Sequence, residues 1–377
     1  MVDLTSHPGA MRQAGTPGNR RIASAPRPRL LFRGITVAAG VALGAGIGEV
    51  ALRASGFTSE VRRHFKPGIY ASDPELGWVL QAGYRGVHYE YRYAASTSTN
   101  GQGFRGPEWS EERLQAGLRV LVLGDSCTFG LGVADDETYP SVLEELLRAD
   151  GVDAAVFNTG VPGYDTAQEL ALLRRVGPIV RPHVVLVTWL ANDAAVDWVD
   201  RNRRNVVHEG YLMDDVREYD AWRRRIDHRG IHASALYRHV LCSIKLAKYR
   251  LGHRRIDRAT VRIGDEQLRF TQASLLGIRE TAASLDATVV LVLFPQEEEV
   301  NDPAVSVSHH ESMAAFADGH GIEVVRVPQQ WRAAGPVRGR YLERDPVHLN
   351  PRGYRELAQA VAQARALRPP PRPDSEE

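Results

Sequence analysis

Three side chains in this sequence, a serine, an aspartate and a histidine, have the chemistry of a nucleophile and its activating pair. Ser126 follows a Gly-Asp pair and the apolar run 120–123, and Asp345 lies three residues before His348. A serine hydroxyl is a weak nucleophile until a histidine takes its proton, and a carboxylate must orient that histidine. We therefore predict Ser126 as the nucleophile, with Asp345 and His348 supplied together by one loop.

Such a reaction also needs hydrogen-bond donors at the point where negative charge develops. The candidates are the backbone N–H groups of Ser126 and Gly163 and the side chain of Asn192. Glycine lets the backbone approach a substrate closely, and asparagine supplies N–H donors without a charge. We predict that these three residues form the oxyanion hole. Asp125, Asn158 and Asp193 are predicted to brace the loops that carry them.

From residue 118 onward, strand and helix patterns alternate regularly. Apolar runs of strand length are separated by segments with helical spacing, which predicts a parallel sheet covered by helices on both faces. Ligands bind outside the carboxyl ends of such strands, where the Ser126, Gly163 and Asn192 loops fall. The predicted strands are 120–123, 154–157, 184–189, 288–294 and 322–327, and the closing helix begins at Pro351.

These segments occur in the order of the four signature blocks of the SGNH/GDSL hydrolases, a family that the chain resembles over about residues 119–367. The resemblance implies a flavodoxin-like three-layer α/β/α fold with a five-stranded parallel sheet. It also implies an ester hydrolase with an acyl-Ser126 intermediate and the site residues named above. The blocks are Gly124-Asp125-Ser126 with Thr128 and Gly130, then 158–163, then Asn192-Asp193, then 345–348.

Two positions depart from the family pattern. Leu190 stands where a glycine is usual, which affects the shape of the pocket rather than the donor Asn192. Cys127 follows the nucleophile where an aliphatic residue is common, and we expect it to be a small buried packing residue.

The N-terminal region predicts a membrane anchor. Residues 1–29 are predicted to form a disordered basic tail. Residues 30–52 form an apolar stretch long enough to span a hydrocarbon core. The arginines before this stretch favour a cytoplasmic N-terminus and a single-pass protein of the cell membrane, with its catalytic part on the extracytoplasmic side. A cleaved signal peptide, a twin-arginine export signal and a buried soluble helix are the alternatives. Four basic residues beyond the stretch weaken the charge asymmetry, namely Arg53, Arg62, Arg63 and Lys66.

The remaining segments predict a domain organisation. An N-terminal extension with short strands covers 53–117, including a Tyr-rich strand over 88–93, and the hydrolase domain covers 118–367. An insert at about 194–267 contains a predicted helix at 232–249, which would pack as a cap beside the site through Leu236, Val240, Leu241 and Ile244. Surface padding is the alternative. Residues 368–377 are predicted to form a disordered tail. The segments 73–78 and 100–106 also resemble parts of bacterial membrane-anchored family members, with no role assigned to them.

Composition excludes several classes of function. The 377 residues carry a net charge of only +1, so nucleic acid is not a predicted partner. The two cysteines lie far apart and predict neither a disulfide framework nor a zinc site. The glycines near residue 130 lack the spacing of a nucleotide-binding loop, and no cofactor is predicted. Residues His309, His310, Glu311 and His320 match no common metal spacing, and we predict a solvated helix face and no metal.

The predicted substrate is an acylated small molecule, glycan or lipid, with O-acetylated envelope glycan favoured by location and family analogy. The same residues would serve an O-acetyltransferase if a sugar hydroxyl replaced water, or a lysophospholipase acting near the bilayer. A non-catalytic envelope protein that binds a glycan or a partner is the alternative from a different class. The sequence leaves the oligomeric state open.

Overall fold

The computed structural model describes residues 28–60, 62–90, 92–194, 204–253, 263, 265–335, 339–343 and 345–368, with the backbone alone for 28–31 and 249–253. The chain divides into two compact units, residues 1–51 and 52–377. The two predicted tails, 1–29 and 368–377, fall almost entirely outside the described residues. The predicted boundary at 117/118 lies within the second unit and stays a prediction.

The first unit contains most of a long apolar helix, α1 (Pro28–Ala54). An 18-residue window within its segment Phe32–Ala54 has a mean hydropathy of 1.8, and none of that window is buried in the protein. A helix of this length and composition can cross a membrane, and a signal sequence near an N-terminus has the same properties.

The extension forms two small antiparallel sheets, one of three strands and one of two. The Tyr-rich segment is not one continuous strand, because β4 ends at Tyr89 and the Glu90 N–H donates to the Tyr93 carbonyl at 2.9 Å, closing a hairpin. The prediction of a strand over 88–93 is therefore wrong beyond Tyr89. The elements are β1 (His64–Lys66), β2 (Tyr70–Asp73), β3 (Gly77–Leu80), β4 (Arg85–Tyr89), β5 (Ala94–Ser98) and α2 (Glu111–Leu114).

The central sheet has five parallel strands in the order β7-β6-β8-β11-β12. Numbered within the sheet, this is the order 2-1-3-4-5 of flavodoxin-like folds, which confirms the predicted fold class. Their burial explains why their apolar runs are continuous rather than alternating. The strands are β6 (Leu118–Leu123), β7 (Ala154–Asn158), β8 (Val184–Trp189), β11 (Thr288–Leu293) and β12 (Glu323–Arg326).

Helices cover both faces of this sheet and complete three layers. Leu172 and Leu275 belong to one apolar core, which lies on one face, and Leu143 and Leu357 belong to the core on the other. Successive strand residues alternate between these two cores. The helices are α3 (Ser126–Phe129), α4 (Tyr139–Ala149), α5 (Thr166–Val180), α8 (Asp265–Ala283), α9 (Glu297–Asn301), α10 (Ser308–Gly319), α11 (Val327–Ala333) and α12 (Pro351–Val361), with 3₁₀ turns at Asp135–Glu137, Ala191–Ala194 and Arg365–Leu367.

The described part of the insert contains a small hairpin and two helices. Its predicted helix begins at Ala235, slightly later than expected. Val240 and Ile244, expected to pack inward, are 48% and 47% exposed, whereas Cys242 and Leu246 are buried. The predicted inner face was therefore wrong for the first pair. The elements are β9 (Val206–His208), β10 (Tyr211–Met213), α6 (Tyr219–Ile226) and α7 (Ala235–His253), with 3₁₀ turns at Val216–Glu218 and Gly230–Ala233.

Candidate active site

Ser126 is the first residue of α3, directly beyond the carboxyl end of β6. The turn requires Gly124, because a Cβ there would lie 2.0 Å from the Thr128 hydroxyl oxygen. Asp125 caps the helix, and its carboxylate accepts the Cys127 N–H at 2.9 Å. Ser126 is partly exposed, whereas Asp125 and Cys127 on either side are buried. The turn therefore presents the serine hydroxyl to solvent and holds its neighbours inside.

The three side chains predicted as a triad lie within hydrogen-bonding distance of one another. His348 Nε2 lies 2.8 Å from Ser126 Oγ, and His348 Nδ1 lies 2.7 Å from Asp345 Oδ2. The other carboxylate oxygen of Asp345 accepts the backbone N–H groups of Val347 and His348 at 2.9 and 3.1 Å. These bonds fold the loop back on itself before α12 begins. The geometry fits an activated serine, and the catalytic roles stay a prediction.

Charge and burial give the two members of the activating pair opposite pKa shifts. Burial alone would raise the pKa of Asp345, but the attraction of His348 and Arg63 outweighs it and holds that pKa well below the ordinary value. Burial alone would lower the pKa of His348, but the adjacent Asp345 carboxylate offsets it, so the pKa lies above the ordinary value. The carboxylate thus stays ionised while the imidazole can take a proton.

The predicted oxyanion-hole residues lie on loops that leave three adjacent strands of the sheet. Gly163 has a φ of 91°, a conformation that favours glycine, and Asn192 lies in the 3₁₀ turn after β8. Ser126, Gly163 and Asn192 are all partly exposed. Asn192 Nδ2 donates to Asp125 Oδ2 at 3.0 Å, which uses one of its two amide hydrogens. The oxyanion role of Asn192 stays a prediction.

The residues predicted to brace these loops make bracing contacts. Asn158 Nδ2 donates to the Thr128 carbonyl at 3.1 Å, and its Oδ1 accepts the Gly160 N–H at 3.0 Å. Asp193 accepts the Thr166 hydroxyl at 2.9 Å. These bonds tie the loops after β6, β7 and β8 to one another or to α5.

The two residues that depart from the family pattern, Cys127 and Leu190, are both buried. Cys127 is fully buried, and burial raises the pKa of its thiol well above the ordinary value, so the thiolate form is disfavoured. Leu190 is buried in the apolar core on one face of the sheet. Both residues pack inside the protein.

Trp78, in the extension, supports the loop that carries Gly163, a contact that the sequence did not reveal. Its indole N–H donates to the Pro162 carbonyl at 3.2 Å, and its own carbonyl accepts the Tyr164 hydroxyl at 2.6 Å. Trp78 is the last residue of the segment 73–78, which resembles part of bacterial membrane-anchored family members.

Arg105, in the second such segment, supports the helix that begins with Ser126. Its side chain is fully buried and forms an ion pair with Asp135 at 2.7 Å. Its guanidinium also donates to the carbonyls of Phe129, Gly130 and Val133 at 3.1, 2.5 and 2.5 Å. The planar fork of arginine suits such a cluster of acceptors. Resemblance to the family gave the only signal for this residue.

A cluster of one carboxylate and two imidazoles lies outside the triad. Glu299 accepts hydrogen bonds from Nε2 of His309 and His310 at 2.8 and 3.0 Å. These ligand atoms lie within 4.8 Å of one another, and among the described residues this is the set that could reach a common metal ion. The expected solvated face was wrong for His310, which is fully buried. Both imidazoles bond the carboxylate through Nε2, while His310 Nδ1 is buried without a hydrogen-bond partner among the described residues. The absence of a metal stays a prediction.

Residues 122–356 match the model of the GDSL-like lipase/acylhydrolase family. The chain therefore belongs to that family, a class of hydrolases that act on ester bonds. The family and the enzyme class predicted from the sequence are confirmed.

Individual proteins are similar to this chain only over a short stretch or at low sequence identity. The arylesterase of Vibrio mimicus is 35% identical over 79 residues, which cover 21% of this chain and 40% of that protein. A lipase/acylhydrolase from Enterococcus faecalis is 16% identical, covering 65% of this chain and 94% of its own, with a TM-score of 0.39. The acetylxylan esterase Axe2 from Geobacillus stearothermophilus is 16% identical, covering 68% and 99%, with a TM-score of 0.40. The fold assignment rests on the strand order described above.

Proposed function

We propose that this protein is a membrane-anchored serine esterase that removes acyl groups, chiefly acetyl, from an O-acylated glycan of the cell envelope. The observation that carries the proposal is the unbroken hydrogen-bonded series from Asp345 through His348 to Ser126, at 2.7 and 2.8 Å. The series ends on a partly exposed hydroxyl beside two further partly exposed groups, Gly163 and Asn192. That arrangement suits acyl transfer.

In the first half of the reaction, Ser126 Oγ gives its proton to His348 Nε2 and attacks the carbonyl carbon of the ester. The resulting oxyanion is held by the N–H groups of Ser126 and Gly163 and by Asn192 Nδ2. The ester C–O bond then breaks, and His348 returns the proton to the departing alcohol oxygen. The products are acyl-Ser126 and a free hydroxyl on the glycan.

In the second half, water replaces the alcohol. His348 Nε2 takes a proton from the water, whose oxygen attacks the acyl carbon, and the bond from that carbon to Ser126 Oγ breaks. The proton returns to Ser126, and a carboxylic acid leaves. Asp345 stays ionised throughout and stabilises the imidazolium, since two backbone N–H groups and His348 all bond to it.

The proposed substrate class is supported by α1 together with the predicted cytoplasmic position of the N-terminus. An uncleaved helix at Phe32–Ala54 would hold the catalytic part at the extracytoplasmic face of the membrane, where acylated envelope molecules are found. Membrane retention is tested by expressing the full chain and washing the membranes at alkaline pH. Retention at full length supports the anchor, whereas a soluble product that lacks the N-terminal residues up to the end of α1 at Ala54 would refute it.

The triad is tested with the full-length chain in detergent micelles, treated with a fluorophosphonate probe. We expect labelling of the natural chain and none of Ser126→Ala or His348→Ala. Cys127→Ala is the matched control, because it changes the adjacent side chain and should keep the labelling. A folded natural chain that is not labelled would refute the serine hydrolase.

The acyl group is tested with p-nitrophenyl esters of increasing chain length and with O-acetylated oligosaccharides. Acetyl esters should give the highest kcat/KM, and the oligosaccharides should release acetate in proportion to Ser126-dependent turnover. Preference for octanoyl or longer esters would replace the glycan with a lipid substrate. Transfer of acetyl to a sugar hydroxyl in place of water would make the protein an O-acetyltransferase.

A further inference from the structure

The aspartate of the candidate triad has a partner in the extension. Arg63, just before β1, places Nη2 2.9 Å from Asp345 Oδ2, the oxygen that also bonds His348. The same guanidinium places Nε 2.6 Å from Glu90 Oε1, at the turn of the β4–β5 hairpin. A continuous series of ion pairs and hydrogen bonds therefore links the extension to the triad. It runs from Glu90 through Arg63 to Asp345, and on to His348 and Ser126.

The two carboxylates of this series are buried, which strengthens their interaction with the cation between them. The side chains of Glu90 and Asp345 are only 4% and 3% exposed, and the Arg63 side chain between them is 36% exposed. A buried carboxylate is costly without a hydrogen-bonded partner of opposite charge. Here one fork-shaped cation serves two carboxylates, a geometry that a lysine ammonium reproduces poorly. Arg63 thus balances the charge behind the triad and limits the directions in which Asp345 can turn.

The hairpin that carries Glu90 is held from both sides. Arg92 donates to the Ser243 hydroxyl on α7 at 2.9 Å, which fixes the hairpin turn to the insert. On the other side the ring of Tyr93 faces Gly132, where an added Cβ would lie 2.6 Å from the phenol oxygen. The hairpin turn therefore lies between the insert and the loop that follows α3. Glu90 is presented to Arg63 from a supported position.

We propose that Arg63 and Glu90 are positioning residues of the triad, which hold Asp345 in its bonding orientation to His348 and set the local charge at the imidazole. This inference rests on the proposed function. It makes the extension part of the catalytic centre, since the hydrolase segment by itself leaves one carboxylate oxygen of Asp345 without its cation.

The two residues act on His348 with opposite sign. The positive charge of Arg63 disfavours the imidazolium and lowers the pKa of His348, whereas an ionised Glu90 favours the imidazolium. Burial raises the pKa of Glu90 to about 7, so the charge of Glu90 changes around that pH. Among the described residues, the charged and titratable groups that interact with Asp345 or His348 are Arg63, His88, Glu90, Tyr93, Asp125, Cys127, Glu297 and Tyr354. Burial lowers the pKa of His88 well below its ordinary value.

The test is the pH dependence of kcat/KM for p-nitrophenyl acetate, measured on the full chain in detergent micelles. Its acid limb reports the pKa of the free catalytic base. Arg63→Gln should move the acid limb to higher pH by roughly half a unit or more. It should also lower kcat roughly ten- to a hundredfold, because Asp345 is less firmly placed. Glu90→Gln should move the limb to lower pH.

Two further variants separate positioning from general damage. Arg63→Lys keeps the charge and loses the fork, so the acid limb should return toward its natural position while kcat stays lowered. Arg175→Gln is the matched control, because it breaks another ion pair between the extension and the hydrolase segment, Arg175 to Asp73 at 2.7 Å. It should leave the pH profile unchanged. If Arg63→Gln does not fold, Glu90→Gln carries the test by the direction of its own shift.

Unchanged acid limbs in both Arg63→Gln and Glu90→Gln, or shifts of the same sign, would overturn the inference. The His348 imidazole can also be titrated by NMR in histidine-labelled full-length protein, which reads the same charges without ester turnover. A natural chain that neither hydrolyses p-nitrophenyl acetate nor reacts with a fluorophosphonate would overturn the proposed function. In that case the NMR titration still decides the inference, because opposite shifts support it and equal pKa values contradict it.

Discussion

The hydrolase segment and the extension before it contribute to the same site in different ways. The hydrolase segment supplies the groups proposed to react, each on a loop next to a long buried strand or before α12. The extension, built from strands of three to five residues, supplies supports. Trp78 holds the loop before Gly163, Arg105 holds the end of α3, and Arg63 holds Asp345. Reactive groups and their supports are thus separated along the chain and joined only in the folded protein.

This comparison predicts that removing a reactive group costs activity without a matching loss of stability. His348→Ala should lower kcat/KM by roughly 10⁴-fold or more, because the serine loses its base. The unfolding transition should move little by comparison. Steady-state kinetics and thermal unfolding of the same preparation measure both effects. His320→Ala, whose imidazole bonds the Phe316 carbonyl, should keep activity near the natural level.

Removing a support that does not contact the triad should cost stability more than activity. Arg105→Ala leaves three carbonyls and Asp135 without their buried partner and should lower the free energy of unfolding by about 3–5 kcal/mol. Denaturant titration followed by near-UV circular dichroism measures this. Arg355→Ala, at a 48% exposed side chain paired with Glu145, is the control and should cost less than about 1 kcal/mol. Equal losses in the two variants would contradict the bracing role.

Glu90 links the two regions through pH. Its pKa in the folded protein is about 7 against an ordinary value of 4.5, so the folded state binds more protons between these values. Stability therefore falls as pH rises through that window. The Glu90→Gln variant lacks this pH dependence, because glutamine does not ionise. The unfolding free energy of the variant minus that of the natural chain should rise by on the order of 2–3 kcal/mol from pH 4 to pH 8. A difference that stays constant with pH would refute the burial of an ionisable Glu90.

The smallest effect is expected where the extension meets the hydrolase segment at the surface. Arg175 bonds Asp73 and Glu75 with a side chain that is 36% exposed. Ion pairs of this kind contribute about 0–1 kcal/mol, so Arg175→Gln should shift the unfolding midpoint only slightly. Added salt should reduce even this difference. A loss comparable to that of Arg105→Ala would mean that exposed and buried supports do not differ.

The sequence was most informative where burial imposes a pattern. The strand predicted at 184–189 has the bounds observed for β8, and the closing helix begins at Pro351 as predicted. Continuous apolar runs and a proline at a helix start leave little choice of structure. The candidate triad came from residue chemistry and family likeness, and its three side chains lie where such a site needs them.

There is a physical reason why the supporting contacts of the extension could not be predicted from the sequence. The short strands of the extension contain too few residues for a hydrophobic period, so nothing indicated that the chain would turn after Tyr89. Arg63 looked like one of several basic residues near the apolar helix, since its partner Asp345 is near the other end of the chain. His310 was misjudged in the same way, because its buried partner Glu299 lies on a different helix.

The position of Asp345 and His348 in chain order has a consequence for synthesis. A polypeptide leaves the ribosome from its N-terminus, so the strands of the sheet, the extension and Ser126 are all made before the base. Under the proposed mechanism, the nascent chain carries an unactivated serine until the segment just ahead of α12 has emerged. Esterase chemistry then begins only after all five strands of the central sheet have been made.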